Sequence, residues 1–147
     1  MLNIEKITNA NQFTKNTKEE FINFLYTHLD KFGDPKEDIQ KCIDYAFSDN
    51  PEKGGFVLAA YVQDTLVGGL IMNNTGMSGY IPENILVYIA VDQKFRGKGY
   101  GGKIIERSFQ ETKGNIKLHV EYDNPAKRLY ERIGFKTKYA EMRYEKK

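Results

Sequence analysis

In the first third of the chain, apolar residues recur every three or four positions, which is the spacing of one buried helix face. Residues Thr17 to Glu20 read as a capping box, in which a hydroxyl and a carboxylate satisfy free amides, just before the first apolar stripe. Asp34-Pro35 precedes a second stripe and indicates another helix start, because proline suits the first helical position. The pattern therefore predicts two helices. Their apolar positions are Phe21, Phe24, Leu25, Leu29 and Phe32 in the first helix, and Ile39, Cys42, Ile43, Ala46 and Phe47 in the second.

Continuous apolar runs replace this spacing after a turn-rich stretch at residues 50–55. The runs 56–62 and 66–72, joined by a short turn at 63–65, predict an antiparallel hairpin. The run 85–91 has almost no polar character, which is typical of a strand in the interior of its sheet. The middle of the chain therefore predicts three strands.

The last third alternates between the two patterns. A glycine-rich stretch at 97–102 leads into helical spacing that ends at Gly114, and alternation at 116–120 predicts another strand. Asn124-Pro125 begins a last helix that ends at Gly134. The remaining residues, 135–144, are long enough for one or two final strands.

Composition and charge narrow the class of protein. A chain of 147 residues fits a single domain spanning residues 1–147. Its net charge of +2 comes from mixed charges, so we expect no nucleic acid and no membrane as partner. No stretch approaches the roughly 20 apolar residues of a membrane helix, and the first residues lack the pattern of a secretory signal. We therefore expect a cytoplasmic protein.

Few side chains suit a metal or a disulfide. Cys42 is the only cysteine, and its place in an apolar stripe predicts a core residue. His28 and His119 are isolated histidines, to which we assign no catalytic role. We expect no metal site.

A glycine-rich loop between a buried strand and a helix is suited to an anion, because free amides and the helix dipole point at it. Residues 97–102 fit the G-x-G-x-x-G pattern of dinucleotide-binding folds, and Glu121 lies near the spacing of their ribose-binding acid. Those folds need further parallel strand–helix units, for which this chain has no room. Residues 97–103 fit a nucleotide-binding G-x-x-x-x-G-K, but Ile104 replaces its magnesium-binding hydroxyl. A tight turn that only connects strand to helix is a further alternative, which four glycines beside two basic residues disfavour.

A third pattern fits better. Residues 91–101, Val-Asp-Gln-Lys-Phe-Arg-Gly-Lys-Gly-Tyr-Gly, resemble motif A of the GNAT N-acetyltransferase superfamily, whose core is Q/R-x-x-G-x-G/A. Arg96, Gly99 and Gly101 fill its three fixed places. Residues 124–135 resemble motif B of the same superfamily, with its asparagine, Leu-Tyr pair and Gly-Phe ending. The resemblance covers roughly residues 56–139.

The resemblance implies an α/β fold with a mixed, mostly antiparallel sheet flanked by helices on both faces. It implies acetyl-CoA as co-substrate, lying in a V-shaped opening between two parallel strands, with its pyrophosphate on the loop and its pantetheine arm along the fourth strand. The residues so assigned are Arg96, Gly97, Lys98, Gly99, Tyr100 and Gly101 to the pyrophosphate, Ile89, Ala90 and Val91 to the arm, and Asn124 and Tyr130 to further coenzyme contacts.

Two residues are candidates for catalysis. Tyr130 matches the motif B tyrosine that protonates the departing thiolate, although a core aromatic is the structural alternative. Relatives that use a glutamate as the general base often carry it within the fourth strand, where this chain has none. Glu83, just before that strand, is the candidate base. A water chain ending at a backbone carbonyl, Tyr88 or Glu121 is the alternative.

The sequence thus predicts an N-acetyltransferase that acts, as a monomer or homodimer, on a primary amine of a small molecule or peptide. By analogy with the family, the amine attacks acetyl-CoA directly, so Cys42 is not needed as a nucleophile. The alternative is a non-catalytic acyl-CoA sensor that has kept the loop and lost the base. Which amine is accepted does not follow from the sequence.

Overall fold

Five strands form one sheet in the order β1-β2-β3-β4-β5 in the computed structural model, which describes residues 1–147. The β1–β2, β2–β3 and β3–β4 pairs are antiparallel, and only β4 and β5 are parallel. The sheet is therefore mixed and mostly antiparallel, which confirms the predicted fold class. The strands are β1 Leu2–Ile7, β2 Gly55–Val62, β3 Thr65–Asn74, β4 Asn84–Val91 and β5 Ile116–Leu118.

Four helices cover the two faces of the sheet. Helices α1 and α2 pack on one face, and α3 and α4 pack on the other. None of them is both long and apolar enough to cross a membrane. The helices are α1 Lys18–Leu29, α2 Lys36–Ala46, α3 Tyr100–Glu111 and α4 Ala126–Ile133, and short 3-10 turns lie at Ala10–Gln12, Asp30–Phe32 and Gln93–Phe95.

The predicted start of α1 agrees with the structure, and that of α2 differs by one residue. The Thr17 hydroxyl accepts the Glu20 N–H at 3.0 Å, and the Glu20 carboxylate accepts the Thr17 N–H at 2.8 Å, so the capping box is complete. Pro35 lies one position before α2 rather than inside it. Cys42 is buried against the α1–α2 face of the sheet, as predicted.

Two consecutive glycines in β3 let both helix layers approach the sheet. A Cβ atom on Gly68 would lie 2.6 Å from Ile104 Cδ1 of α3, and one on Gly69 would lie 2.7 Å from the Phe21 ring of α1. Both distances are too short for real contacts. These glycines therefore set how closely α1 and α3 pack on opposite sides of the strand beside β4.

Strand β4 contains a bulge at Val87. Ile71 of β3 pairs with Tyr88, but the next residue, Met72, pairs with Leu86, so Val87 is an extra residue. As a result Leu86 packs into the α3–α4 core and Tyr88 into the α1–α2 core, although they are two positions apart. The bulge therefore divides β4 into two halves with opposite facing patterns.

Only the first half of β4 pairs with β5. The parallel ladder runs from Asn84 to Leu86 against Ile116 to Leu118, whereas residues 88–91 pair with β3 alone. A bulge bends its strand and increases the local twist. The sheet therefore opens between β4 and the chain that leaves β5, on the side of the glycine-rich loop.

Two parts of the chain differ from the sequence prediction. The sequence pattern did not reveal β1, whose polar residues Asn3, Glu5 and Lys6 disfavour a strand and which forms by pairing with β2. The prediction of final strands at 135–144 is wrong, because no residue after Ile133 lies in a helix or strand. That prediction rested on the length of the segment, but a strand forms only where a neighbouring backbone pairs with it, and β5 offers a ladder of just three residues.

Candidate functional site

The glycine-rich loop leaves a row of amides free. Gly97 and Gly99 have φ values of +80° and +81°, a region that favours glycine, and Gly99 directly precedes α3. The N–H groups of residues 97–102 donate to no protein acceptor, and the first bond of the helix start is from Lys103 N–H to the Gly99 carbonyl at 3.2 Å. Free amides at the start of a 12-residue helix attract a negatively charged group.

Basic side chains add to this attraction. Lys98 is exposed within the loop and forms no ion pair. Arg96, by contrast, turns its guanidinium toward the protein: Nε donates to the Val91 carbonyl at 3.2 Å, and Nη2 donates to the His28 carbonyl at 2.8 Å. Arg96 therefore fixes the entrance of the loop, and the backbone presents the anion-binding groups.

The second half of β4 turns backbone groups toward the opening. The Asp92 N–H donates to the Val67 carbonyl of β3 at 2.8 Å. Because backbone groups alternate along a strand, Ala90 also faces β3, whereas Ile89 and Val91 face the opening. Arg96 occupies the Val91 carbonyl. The strand thus offers the backbone of Ile89 and the Val91 N–H to an extended ligand.

Tyr130 lies on α4, on the α3–α4 side of the sheet. Its side chain is 8% exposed, and its ring meets that of Phe135 edge-on at 5.9 Å between centroids. Burial raises the pKa of Tyr130 to about 12. The hydroxyl makes no hydrogen bond to the protein, yet it is not sealed from solvent, since only Asn73 Oδ1 is both buried and unpaired. Tyr130 is therefore both a core aromatic and a free proton donor.

Asn124 begins α4. Its Oδ1 atom accepts the Ala126 N–H at 2.9 Å, and its carbonyl accepts the Lys127 N–H at 3.1 Å. These bonds satisfy amides at the helix start. A coenzyme contact from Asn124 stays a prediction.

Glu83 lies at the other end of β4 from the loop. Its Oε1 atom accepts the Asn115 N–H at 3.1 Å and so ties the start of β4 to the start of β5. The side chain lines an open polar groove of about 420 Å³ with Lys6, Asn84 and Lys113. Glu83 precedes Val91 by eight positions, which in an extended strand is at most about 26 Å.

A carboxylate that the sequence pattern did not single out lies beside the open half of β4. The Tyr88 hydroxyl donates to Oδ2 of Asp34, which precedes α2. Burial, followed by this bond and the charge of Asp34, raises the pKa of Tyr88, so the hydroxyl keeps its proton. Asp34 is exposed and forms no ion pair within this chain. Only its place before Pro35, as a helix start, was visible in the sequence.

The connection that carries Asp34 spans the opening. Lys31, in the α1–α2 connection, forms an exposed ion pair with Asp123 of the β5–α4 connection at 3.7 Å. The two connections therefore meet across the gap between β4 and the chain after β5. Asp34 and Tyr88 lie on the α1–α2 side of this gap, and Tyr130 lies on the α3–α4 side.

These features fit a coenzyme with a pyrophosphate and an amide-containing arm. The free amides of the loop match phosphate oxygens, and the unpaired edge of β4 matches the hydrogen-bonding groups of an extended arm. No three His, Cys, Asp or Glu side chains come close enough together to hold a metal ion.

Comparison with known families decides the assignment. Residues 53–137 match the family described as "Acetyltransferase (GNAT) domain", which covers the opening, the loop and α4. The chain belongs to the GNAT acetyltransferase family. The resemblance seen in the two sequence motifs is thereby confirmed.

Solved GNAT-like structures share the fold over the whole chain. The aminoglycoside N-acetyltransferase AAC(6')-Iy, in complex with CoA, has a TM-score of 0.73 at 12% identity, covering 99% of this chain and 95% of that one. An aminoglycoside acetyltransferase from an uncultured soil metagenomic sample has a TM-score of 0.63 at 20% identity, covering 99% and 97%. A ribosomal-protein-alanine N-acetyltransferase of Brucella melitensis has a TM-score of 0.65 at 16% identity, covering 99% of both chains. The sequence has no significant match among curated proteins.

Proposed function

We propose that this GNAT protein, as a single domain spanning residues 1–147, transfers an acetyl group from acetyl-CoA to a primary amine by direct attack. The observation that carries the proposal is the free strand edge of β4 running into six free amides at the start of α3. One surface therefore suits an extended arm and its terminal pyrophosphate together. A loop that only connected β4 to α3 would need neither the free strand edge nor the free amides.

When bound, acetyl-CoA supplies an acyl group activated as a thioester. The backbone of residues 97–102 binds the phosphates, and Ile89 and Val91 hold the arm. Positioning of this kind accounts for much of the rate enhancement in acyl transfer, because the reacting groups no longer have to find each other. The donor half of the site is thus made chiefly of main chain.

Tyr130 is the proposed proton donor to the leaving thiolate. Its raised pKa, about 12, keeps the hydroxyl protonated at neutral pH. A thiol has an ordinary pKa of about 8.5, below that of Tyr130, so the hydroxyl stabilises the leaving thiolate chiefly as a hydrogen-bond donor, and a proton that it gives up is replaced from the solvent to which it is open. The hydroxyl has no competing partner in the protein.

Asp34 is the proposed acceptor of the amine proton, held in place by Tyr88. The Tyr88 bond occupies Oδ2 of Asp34 and leaves Oδ1 free for an ammonium group. Asp34 lies on the opposite side of the opening from Tyr130, so proton removal and proton donation have separate groups. Glu83 remains the sequence-based candidate, but its carboxylate holds the Asn115 amide near the far end of β4.

An amine panel with acetyl-CoA tests the proposal. Release of free thiol is measured with an aminoglycoside, a short peptide with an amino-terminal alanine, a diamine and an amino acid. The first two are chosen because the structural neighbours include aminoglycoside and ribosomal-protein-alanine acetyltransferases. We expect turnover with at least one amine class. Tight binding of acetyl-CoA without turnover on any amine would instead support the sensor, and no binding would refute both.

A further inference from the structure

The last turn of α1 is attached to the entrance of the coenzyme loop through one residue, His28. Its Nδ1 atom accepts the Gln93 N–H at 3.4 Å, and its carbonyl accepts an N–H of Arg96 at 2.8 Å. Its Nε2 atom lies 3.7 Å from Oδ2 of Asp92. Asp92, Gln93 and Arg96, in the segment that leads into the loop, therefore all contact the side chain or the carbonyl of this one residue.

The His28 ring is held on its own helix as well. It packs against the Phe24 ring, with 4.6 Å between centroids, and its side chain is 16% exposed. Asp92 is fixed from the other direction, because its N–H bonds to β3 and its Oδ1 accepts the Lys94 N–H at 2.9 Å. The histidine therefore lies between two rigid partners rather than on a free surface.

We propose that His28 is a positioning residue for the coenzyme loop: neutral His28 holds the Gln93 amide and thereby sets the turn from which the loop amides project. The inference rests on the proposed function, because it assumes that these amides bind the coenzyme. The Gln93–Phe95 turn is followed directly by Arg96 and Gly97, so a shift of the turn moves the free amides with it. Helix α1, on the α1–α2 side of the opening, is in this way joined to the coenzyme side.

Protonation of His28 breaks this arrangement. Nδ1 would then carry a proton and would face the Gln93 N–H as a second donor. The charged groups that face the ring are Asp92, which favours the protonated form, and Arg96, which opposes it. Burial is the largest influence and, with Arg96, lowers the pKa of His28. Coenzyme affinity is therefore expected to fall in acid through His28.

Binding of coenzyme A to the full chain tests the inference by calorimetry. His28→Asn keeps an acceptor near the Nδ1 position and does not titrate, whereas His28→Ala removes the acceptor. At about pH 7.5 we expect His28→Ala to weaken binding about fivefold, the effect of one hydrogen bond, and His28→Asn to stay within about twofold of the unchanged protein. Thr27→Ala, exposed on the same helix turn, is the control for damage to α1.

The pH dependence separates positioning from a structural role. Between about pH 7.5 and 5.0 we expect the unchanged protein to lose about threefold more affinity for coenzyme A than His28→Asn does. The variant is the reference because its affinity still responds to every other group that titrates in this range, including groups of the ligand. In turnover, His28→Ala should raise KM for acetyl-CoA and leave kcat unchanged.

Equal affinities for all three proteins at both pH values would overturn the inference, and so would a smaller acid loss in the unchanged protein than in His28→Asn. Both results leave the proposed function intact, because coenzyme A still binds. Failure of the unchanged protein to bind coenzyme A would overturn the proposed function and the inference together. If His28→Ala does not fold, the comparison with His28→Asn decides the question alone.

Discussion

The Tyr88 hydroxyl donates a hydrogen bond to the Asp34 carboxylate, joining a strand in the middle of the sheet to a connection 54 residues earlier in the chain. The bond leaves one oxygen of Asp34 free on the α1–α2 side of the opening. It is the arrangement on which the proposed path of the amine proton depends.

Asp34→Asn should therefore lower kcat/KM for the amine by on the order of a hundredfold, because general base catalysis contributes at least that much. Tyr88→Phe keeps the carboxylate and loses only its orientation, so about a tenfold loss is expected. Coenzyme A affinity, measured by calorimetry, should not change in either variant. Asp38→Asn, in the exposed first turn of α2, is the matched control. Full activity in Asp34→Asn would exclude it as the base.

Tyr130→Phe should reduce turnover on the order of a hundredfold with little change in coenzyme affinity, because only the hydroxyl is lost from a buried ring. Since the pKa of Tyr130 is about 12, its ionisation should not lower kcat at any pH below about 11. A pH profile of kcat checks this directly. An unaltered rate in the phenylalanine variant would remove Tyr130 from the mechanism and leave it as a core residue.

Gly99→Val should abolish coenzyme binding in a folded protein, because a β-branched residue is strongly disfavoured at φ +81°. Gly102→Ala is the matched control: it lies inside α3, where a Cβ meets only Leu129 Cδ1 at 3.9 Å. Alanine there should keep affinity and raise the free energy of unfolding by about 0.5–1 kcal/mol. Calorimetry and thermal unfolding together read out both effects, and retained affinity in Gly99→Val would separate the loop from coenzyme binding.

Stability should fall as the pH drops below about 6.5. Burial is the largest cause that lowers the pKa of both His28 and His119, so the unfolded chain binds protons more readily than the folded one. The contribution of these two histidines to the free energy of unfolding is therefore fully present above the ordinary histidine pKa, and it is lost as falling pH protonates the unfolded state. Tm measured from about pH 8 to 5 should decline less in a His28→Asn, His119→Asn double variant. An identical decline of Tm in both proteins would show that carboxylates, and not these histidines, cause the acid sensitivity.

Cys42 should be inert in the native protein. It is 8% exposed, and burial raises the pKa of its thiol to about 12, so the reactive thiolate is scarce. Ellman's reagent should label one thiol in the denatured chain and none in the native one at about pH 8. Cys42→Ala should keep catalytic activity, in agreement with direct attack. An acetylated Cys42 recovered from the native protein with acetyl-CoA would contradict that mechanism.

Local features of the fold were predictable from sequence. The capping box at Thr17 and the glycine stretch at 97–102 depend on residues near each other in the chain, and both formed as expected. Continuous apolar runs also predicted β2, β3 and β4, although the bulge at Val87 left no sign, since all neighbouring side chains are apolar. Facing patterns beyond that bulge follow from pairing with β3 and not from parity along β4.

The candidate site was predictable only where it is made of a short motif. Loop and motif B residues were assigned through their resemblance to the family's motifs, whereas the Tyr88–Asp34 and Arg96–His28 contacts join residues 54 and 68 positions apart. Asp34 looked like an ordinary residue before a helix, and His28 like an incidental ring on one. Long-range contacts of this kind depend on how the helices lie on the sheet, which no local pattern specifies.

The unpaired half of β4 has a second consequence for the empty protein. A free strand edge can pair with another chain and so promote association. The backbone groups of Ile89 and Val91 that are proposed to receive the coenzyme arm are part of that edge. Occupancy of the opening and resistance to aggregation are therefore linked, so that coenzyme A is expected to act as a solubilising additive during purification and storage.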